Sequence, residues 1–451
     1  MRPRLGRSTR ERLAQAQSFY RDVRPWLLVR EEDAVLIVPP NRVYKLGGSA
    51  LGLLSWLDAG GRLAELPGSD GGHGLDEGRA SELLRFFEEL RAAYEGRAPA
   101  PSAGGGAEAG QGFGRVAYDF DFTRLPVLGE AALTYRCNER CRFCYAGCGD
   151  CRAGDSAGEL STEEWKRIIR LFKEEAKIPF FSFTGGEPLL RPDLEELASH
   201  ARSLGLRVNL ITNGSLALPE RAVSLKAAGI DTAQVSLESP EPAVHDALCG
   251  VVGAWERTVA GIASLREAGI SVQTNTTLTA LNRDSLLGLP AFLASIGVAR
   301  FSMNLFIPAG RGLGADDLFV SYSEAGAAVD AVRRAAHEAG RTFFWYSPTP
   351  YCLYNPIARG LGNKSCAAAD GLLHVNPRGE ILPCSSWPES LGSLLESGFG
   401  ELWFSERASY YKRKRFAPEG CGDCGDFIAC QGACPLYWKY AGTAELEAAG
   451  R

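Results

Sequence analysis

The sequence predicts an α/β protein: an incomplete (β/α)6 barrel of the TIM type, preceded by a small winged-helix-like domain and followed by a small cysteine-rich domain. Three observations predict this. A strand, a turn and a helix recur six times between about 130 and 306. Residues 98–112, APAPSAGGGAEAGQG, have the composition of a flexible linker and no apolar periodicity. The cysteines, absent before Cys137, fall into two blocks, 137–151 and 352–434, with Cys249 alone between them. The implied domains are 1–97, a linker over 98–125, a barrel over 126–345 and a terminal domain over 346–451. A chain of 451 residues accommodates three domains at roughly 150 residues each.

Taken in order, WLLVREE, AVLIVPP and RVYKL read as three short strands, and SALGLLSWLDAG and ASELLRFFEELRAAY as helices. A packing or dimerisation domain is the plain reading of this part. The charged N-terminus, MRPRLGRSTRERLAQAQ, is not followed by the apolar block of a secretory signal, and no apolar run approaches the ~18 residues of a membrane helix. With 45% hydrophobic residues, 23% charged residues and a net charge of -5, the expectation is a soluble cytoplasmic chain that binds neither nucleic acid nor membrane.

The barrel strands are AALTYR, FFSFTG, VNLITN, AQVSLE, VQTNTT and FSMNLF. Ser161 and Glu164 stand in capping-box spacing at the start of EEWKRIIRLFKEEA, and PDLEELASHARSLG and AWERTVAGIASLREAG supply further helices. The chemistry of such a barrel belongs at the C-terminal ends of its strands.

An odd, uneven set of thirteen cysteines argues for reduced thiolates and metal rather than disulfides, and the five histidines do not complete a zinc spacing with them. Cys137, Cys141 and Cys144 form a C-x3-C-x2-C loop after the first barrel strand. Three thiolates on one loop can hold three corners of a [4Fe-4S] cluster and leave one iron open; a structural zinc or buried thiols are the plainer alternatives. TGGEP, Thr184 to Pro188, ends the second strand: its glycines permit close backbone approach, and Glu187 offers an acceptor to an ammonium group. LITNG places Asn213 and Gly214 at the third strand end, VSLES places Ser236 and Glu238 at the fourth, and Asn275 lies on the fifth strand. Each alone is also ordinary turn chemistry. Near the C-terminus, Cys366, Gly379 and Cys384 are spaced C-x12-G-x4-C, and Cys421, Cys424, Cys430 and Cys434 are spaced C-x2-C-x5-C-x3-C, with a zinc ribbon as the plain alternative. Gln273, Met303, Asn304 and Tyr346 are pocket candidates only, and core packing is the first reading of each.

CNERCRFC, with Phe143 before its third cysteine, together with TGGEP, resembles the radical S-adenosylmethionine (SAM) superfamily. The resemblance implies that SAM chelates the open iron. Gly185, Gly186, Glu187 and Pro188 would bind its amino group, and Asn213, Gly214, Ser236, Glu238 and Asn275 would face its ribose and carboxylate. It further implies an electron from a low-potential flavodoxin- or ferredoxin-type donor, reductive cleavage to a 5′-deoxyadenosyl radical, and hydrogen abstraction from substrate.

The C-terminal pattern resembles the SPASM extension of that superfamily, an iron-sulfur cluster domain, and implies one or two auxiliary [4Fe-4S] clusters. By resemblance Cys366, Cys384 and Cys434 serve the first, with Cys352 filling it out, and Cys421, Cys424 and Cys430 serve the second. No cysteine follows Cys434, so the fourth ligand of the second falls to Asp423, Asp426, an exchangeable group, or Cys148 or Cys151 from the barrel. Cys148 and Cys151 read first as free thiols in the loop over the first cluster, and after that as ligands to another iron-sulfur site or as reactive groups near substrate. Cys249 stands where many relatives carry Arg before Gly and reads as a buried inert thiol.

The Pro turn, VYKL and GLLSWLDAG of the first domain resemble the pyrroloquinoline quinone chaperone (PqqD-like) modules known as RiPP recognition elements. The implied function is modification of a ribosomally made peptide by a C-C or thioether cross-link or by oxidation, with the peptide or a partner protein held by residues 1–97. The alternatives are a maturase in cofactor biosynthesis (tetrapyrrole, or the tungsten and molybdenum cofactor system) or of a partner enzyme, and, more distantly, a non-catalytic iron-sulfur or zinc protein.

Overall fold

The computed structural model describes residues 5–38, 42–66, 75–95, 119–148 and 158–450, in two compact units, Met1–Val127 and Leu128–Arg451. Most of the 98–125 stretch, Gly149, Asp150 and Cys151 lie outside the described residues.

The first unit holds a three-stranded antiparallel sheet in the order β1 (Leu28–Arg30), β2 (Val35–Val38), β3 (Arg42–Lys45), with helices Gly48–Asp58 and Glu77–Glu95 close to where the periodicity places them. A third helix, Arg7–Val23, occupies the N-terminal segment that the sequence reading treats only as charged. Its charge masks a narrow apolar stripe: Leu13, Ala16, Tyr20 and Val23 recur at three- and four-residue steps and are buried in the unit's core with Leu36, Leu54, Phe87 and Leu90. Residues 119–127, expected in large part as linker, are fastened to the same unit. The buried Arg30 guanidinium pairs with Asp33 at 2.8 Å and donates to the carbonyls of Pro126 (2.6 Å) and Leu125 (3.0 Å), while Asp33 accepts from the Arg124 N–H at 2.9 Å. A buried ion pair is tolerated when its remaining donors and acceptors are satisfied, and this backbone strap satisfies them.

The second unit is α/β with a mostly parallel sheet. The six expected strands are β4 (Leu128–Thr134), β5 (Phe180–Gly185), β6 (Arg207–Thr212), β7 (Ile230–Ser236), β8 (Ser271–Leu278) and β9 (Arg300–Leu305). A seventh, β10 (Thr342–Trp345), pairs parallel with β9. β11 (Leu372–Val375), from the cysteine-rich part, pairs parallel with β4 and is followed by antiparallel β12 (Glu380–Leu382) and β13 (Gly392–Ser393). The order β10-β9-β8-β7-β6-β5-β4-β11-β12-β13 leaves the sheet open among the described residues, and it runs across the 345/346 boundary implied by the sequence.

Each crossover from β4 to β10 carries at least one helix, as parallel pairing requires. Helix Thr162–Glu174 begins with the expected Ser161–Glu164 capping box. Phe181, Phe183, Val208, Leu210, Val235 and Phe301 are buried, as is Met303, whose role is therefore packing. The alternate positions Ser182, Asn209, Gln234 and Gln273 are less buried and bond across strands: Asn209 to Ser182 at 3.1 Å, Gln273 to Gln234 at 3.0 Å. Because the strands are parallel, the loops after β4 to β8 emerge at one end. No helix among the described residues is long and apolar enough to cross a membrane.

Candidate active site

The loop 135–148 leaves β4 and is clamped on two sides. Gly186 N–H donates to Thr134 O at 2.7 Å and Glu187 N–H to Arg136 O at 2.9 Å, joining it to the end of β5. The two glycines are required by close approach: a Cβ on Gly185 (φ +132°) would lie 2.2 Å from Thr134 O, and one on Gly186 would lie 2.3 Å from Arg136 O. On the other side, Arg140 N–H donates to Cys249 O at 3.0 Å and Arg142 N–H to Leu248 O at 2.9 Å, docking the loop on the C-terminal end of helix Pro242–Cys249. Phe143 packs against the cluster of Leu248, Phe306, Ala315 and Leu318.

This frame gathers Cys137, Cys141 and Cys144. Burial pushes the Cys137 thiol up, and the charge of Cys141 adds to the rise. Hydrogen bonds from the Cys148 side chain and from the Ala146, Gly147 and Cys148 N–H groups work against burial to bring Cys144 down to about 6. The Cys148 N–H lies 3.3 Å from Cys144 Sγ, so this thiol is a neighbour of the first group. Cys137 Sγ lies 4.0 Å from Asn213 Nδ2, and Cys141 Sγ 3.6 Å from Glu139 Oε2. Three close, desolvated thiols on a braced loop are a donor set that fits an iron-sulfur cluster. The buried Glu139 Oε1, which has no partner among the described residues, marks the same spot as polar and unfinished.

Glu187 is wholly buried, and its carboxylate fastens one strand end to the next. Oε1 accepts from Leu189 N–H (2.9 Å) and the Thr212 hydroxyl (2.8 Å), and Oε2 from Asn213 N–H (2.8 Å). Burial still raises its carboxyl to about 7. Pro188 opens the one-turn 3-10 helix Pro188–Leu190 that brings the Leu189 N–H round. Asn213 holds Asn138 Oδ1 at 2.9 Å and accepts from Ser215, so it reaches the cysteine loop directly. Gly214 (φ +76°) packs where a Cβ would meet Val235 at 2.8 Å. Glu238 is raised to about 8 by burial, opposed by the Thr277 N–H at 2.7 Å, and Asn275 accepts from the Ser302 hydroxyl at 2.7 Å. Ser236 stands opposite Asn275 in the β7–β8 register. Of the remaining pocket candidates, Asn304 is partly exposed, and Tyr346, beneath the Lys364 ammonium at 4.9 Å, shares a hydrogen bond with Gln273.

The second block divides differently from expectation. Cys366, Cys384 and Cys434 form one group: burial raises Cys384, and the charges of Cys366 and Cys434 add to it. Cys352 is not with them. It lines a cavity with Cys421, Cys424, Cys430 and Asp426, where Tyr351 N–H donates to Cys430 Sγ at 3.4 Å and Tyr351 hydroxyl to Ala429 O at 3.2 Å. Asp423 does not line that cavity. The sequence reading missed Asn138, Glu139, Thr212 and His245, all of which touch the braced loop or its supports. The i, i+4 pair His245 and Cys249 on one short helix was the signal available for the last of them.

A model of the radical SAM superfamily matches residues 132–287, and a model of the SPASM iron-sulfur cluster-binding domain matches residues 366–425. An AdoMet-dependent heme synthase of Nitratidesulfovibrio vulgaris is 30% identical over 311 residues, 65% of this chain and 82% of that protein. A PqqA peptide cyclase of Streptomyces rochei is 30% identical over 323 residues, 68% and 85% of the two chains. The crystal structure of Streptococcus suis SuiB bound to precursor peptide SuiA superposes with a TM-score of 0.63 at 17% identity, covering 91% of this chain and 95% of that one, a likeness of fold.

Proposed function

The chain belongs to the radical SAM superfamily and carries a SPASM-type iron-sulfur domain, and on that premise we propose that it modifies a ribosomally synthesised peptide. The observation that carries the peptide reading is the sheet of the first unit. Among the described residues β1 and β3 are its two edges, and an extended leader segment can join either as a further strand. This is the use that the PqqD-like resemblance gives residues 1–97. That SuiB is seen with a precursor peptide, and that a relative is named a PqqA peptide cyclase, support the same reading.

Cys137, Cys141 and Cys144 would hold the SAM-binding [4Fe-4S] cluster. When bound, the cluster and SAM supply reductive C–S cleavage and a 5′-deoxyadenosyl radical that takes hydrogen from substrate, with the electron drawn from a low-potential flavodoxin or ferredoxin. The chain's own part is positional. Gly185 and Gly186 lock the loop to β5, Glu187 ties β5 to β6, and Asn213 links β6 to the loop, so the thiolates keep one geometry while the ligand enters. Auxiliary clusters would take Cys366, Cys384 and Cys434 as one set, and Cys352, Cys421, Cys424 and Cys430 as the other, which then needs no carboxylate.

The similarity to heme synthases favours a second reading, in which the substrate is a tetrapyrrole. Anaerobic incubation with SAM, reductant and either a candidate precursor peptide or a tetrapyrrole, read by mass spectrometry, separates the two. Loss of hydrogens from the peptide only when its leader is intact supports peptide modification. SAM cleavage with untouched peptide and a consumed tetrapyrrole overturns it in favour of the second reading.

A further inference from the structure

Cys249 is the one barrel cysteine outside the first block, and its surroundings define a hydrogen-bond direction. It ends helix Pro242–Cys249 and is 2% exposed; His245, one turn earlier, is 1% exposed. The Glu238 N–H donates to His245 Nδ1 at 3.1 Å, so that nitrogen carries no hydrogen. The imidazole hydrogen therefore sits on Nε2, which lies 3.4 Å from Cys249 Sγ and donates to it. The sulfur of Cys249 is thus occupied as an acceptor, and its own S–H is left to donate. Sγ of Cys249, Sγ of Cys141 and a carboxylate oxygen of Glu139 lie within 4.8 Å of one another. Once Cys141 ligates iron it has no hydrogen to give, and its thiolate is the sulfur acceptor in reach.

The geometry points to Cys249 as a positioning residue that donates its S–H to the Cys141 sulfur of the SAM-binding cluster, at the end of a relay Glu238 N–H, His245, Cys249. The helix carries His245 and Cys249, and its terminal carbonyls hold Arg140 and Arg142, so the donor and the ligand loop are fixed in one register. A Cβ on Gly250 (φ +68°) would meet Arg140 O at 2.6 Å, which keeps this contact closed to any other residue. A hydrogen bond to a cluster sulfur stabilises the more negative, reduced state and raises the reduction potential. The cluster of this chain is thereby easier to reduce than its ligands alone would make it.

The inference rests on Cys137, Cys141 and Cys144 as the cluster ligands, and its test keeps the two apart. Redox titration of the full reconstituted chain, following the EPR signal that changes on adding SAM, gives the potential of this cluster. Absence of a SAM-responsive signal in the unsubstituted protein refutes the ligand assignment itself. With the signal present, Cys249→Ala is expected to lower the equilibrium constant for reduction by about three- to tenfold, a shift of about 30 to 60 mV to more negative potential. Cys249→Ser, which keeps a donor and makes it stronger, is expected to move the potential the other way. An unchanged potential in Cys249→Ala overturns the relay, including the case in which the hydrogen goes to Glu139 instead. If the alanine protein does not hold its cluster, the serine protein decides alone: a higher potential supports the relay, an equal or lower one overturns it.

Discussion

At the scale of single residues, the site is held by groups whose chemistry is backbone packing and burial. Gly185 shows the first. At φ +132° with Thr134 O where its Cβ would be, Gly185→Ala is expected to cost about 2 to 3 kcal/mol in urea unfolding of the apoprotein, and to abolish SAM binding by equilibrium dialysis, because the loop it closes carries the thiols. Glu187 and Glu238 show the second. Burial raises them to about 7 and about 8 from an ordinary value of 4.5, so at these two groups the folded chain holds more protons than the unfolded chain between those limits. Apoprotein stability contributed by these groups is present below about 4.5 and is lost as pH rises toward 8. Thermal unfolding of the apoprotein followed from pH 5 to 8 should show this decline, and Glu238→Gln should flatten it; a midpoint that climbs with pH in both proteins contradicts the assignment.

At the scale of elements, spacing and placement part company. The turn carrying Cys352 is tied by Tyr351 to the helix Phe427–Cys430, and this tie, rather than distance along the chain, selects its partners. Cys352→Ala and Cys421→Ala should therefore each remove about four irons per chain, and the double variant no more than either. Cys384→Ala combined with Cys352→Ala should remove about twice as many. Iron analysis after anaerobic reconstitution reads both results, and additive loss for Cys352 with Cys421 would place Cys352 elsewhere. Much of this scale was legible beforehand: six strands, the Ser161 capping box and the glycine-rich strand end were all marked by residues that act locally. Helix Arg7–Val23 was not, since its four apolar contacts are scattered among charges and only acquire meaning against the core that receives them.

At the scale of the whole molecule, the linker and domain limits move. Residues 119–127 serve as acceptors and donors for the buried Arg30–Asp33 pair, so a fragment 1–127 should be more stable to urea than 1–97 by about 2 kcal/mol or more. Equal midpoints would mean that the strap contributes nothing. In the second unit, β11 continues the sheet from β4, so the cysteine-rich part shares hydrogen bonds with the barrel and is not appended to it.

The sequence by itself determined the family of chemistry, because thiol spacing, Gly-Gly-Glu and the strand-end motifs are local requirements written in adjacent residues. It also determined six of the parallel strands in their order along the chain. Only the tertiary structure decided which thiol joins which group, that Glu187 fastens strand ends, and that His245 and Cys249 aim at the loop of Cys141. Those facts depend on pairs tens of residues apart or more, brought together by burial and backbone hydrogen bonding, and no local pattern encodes the distance between them.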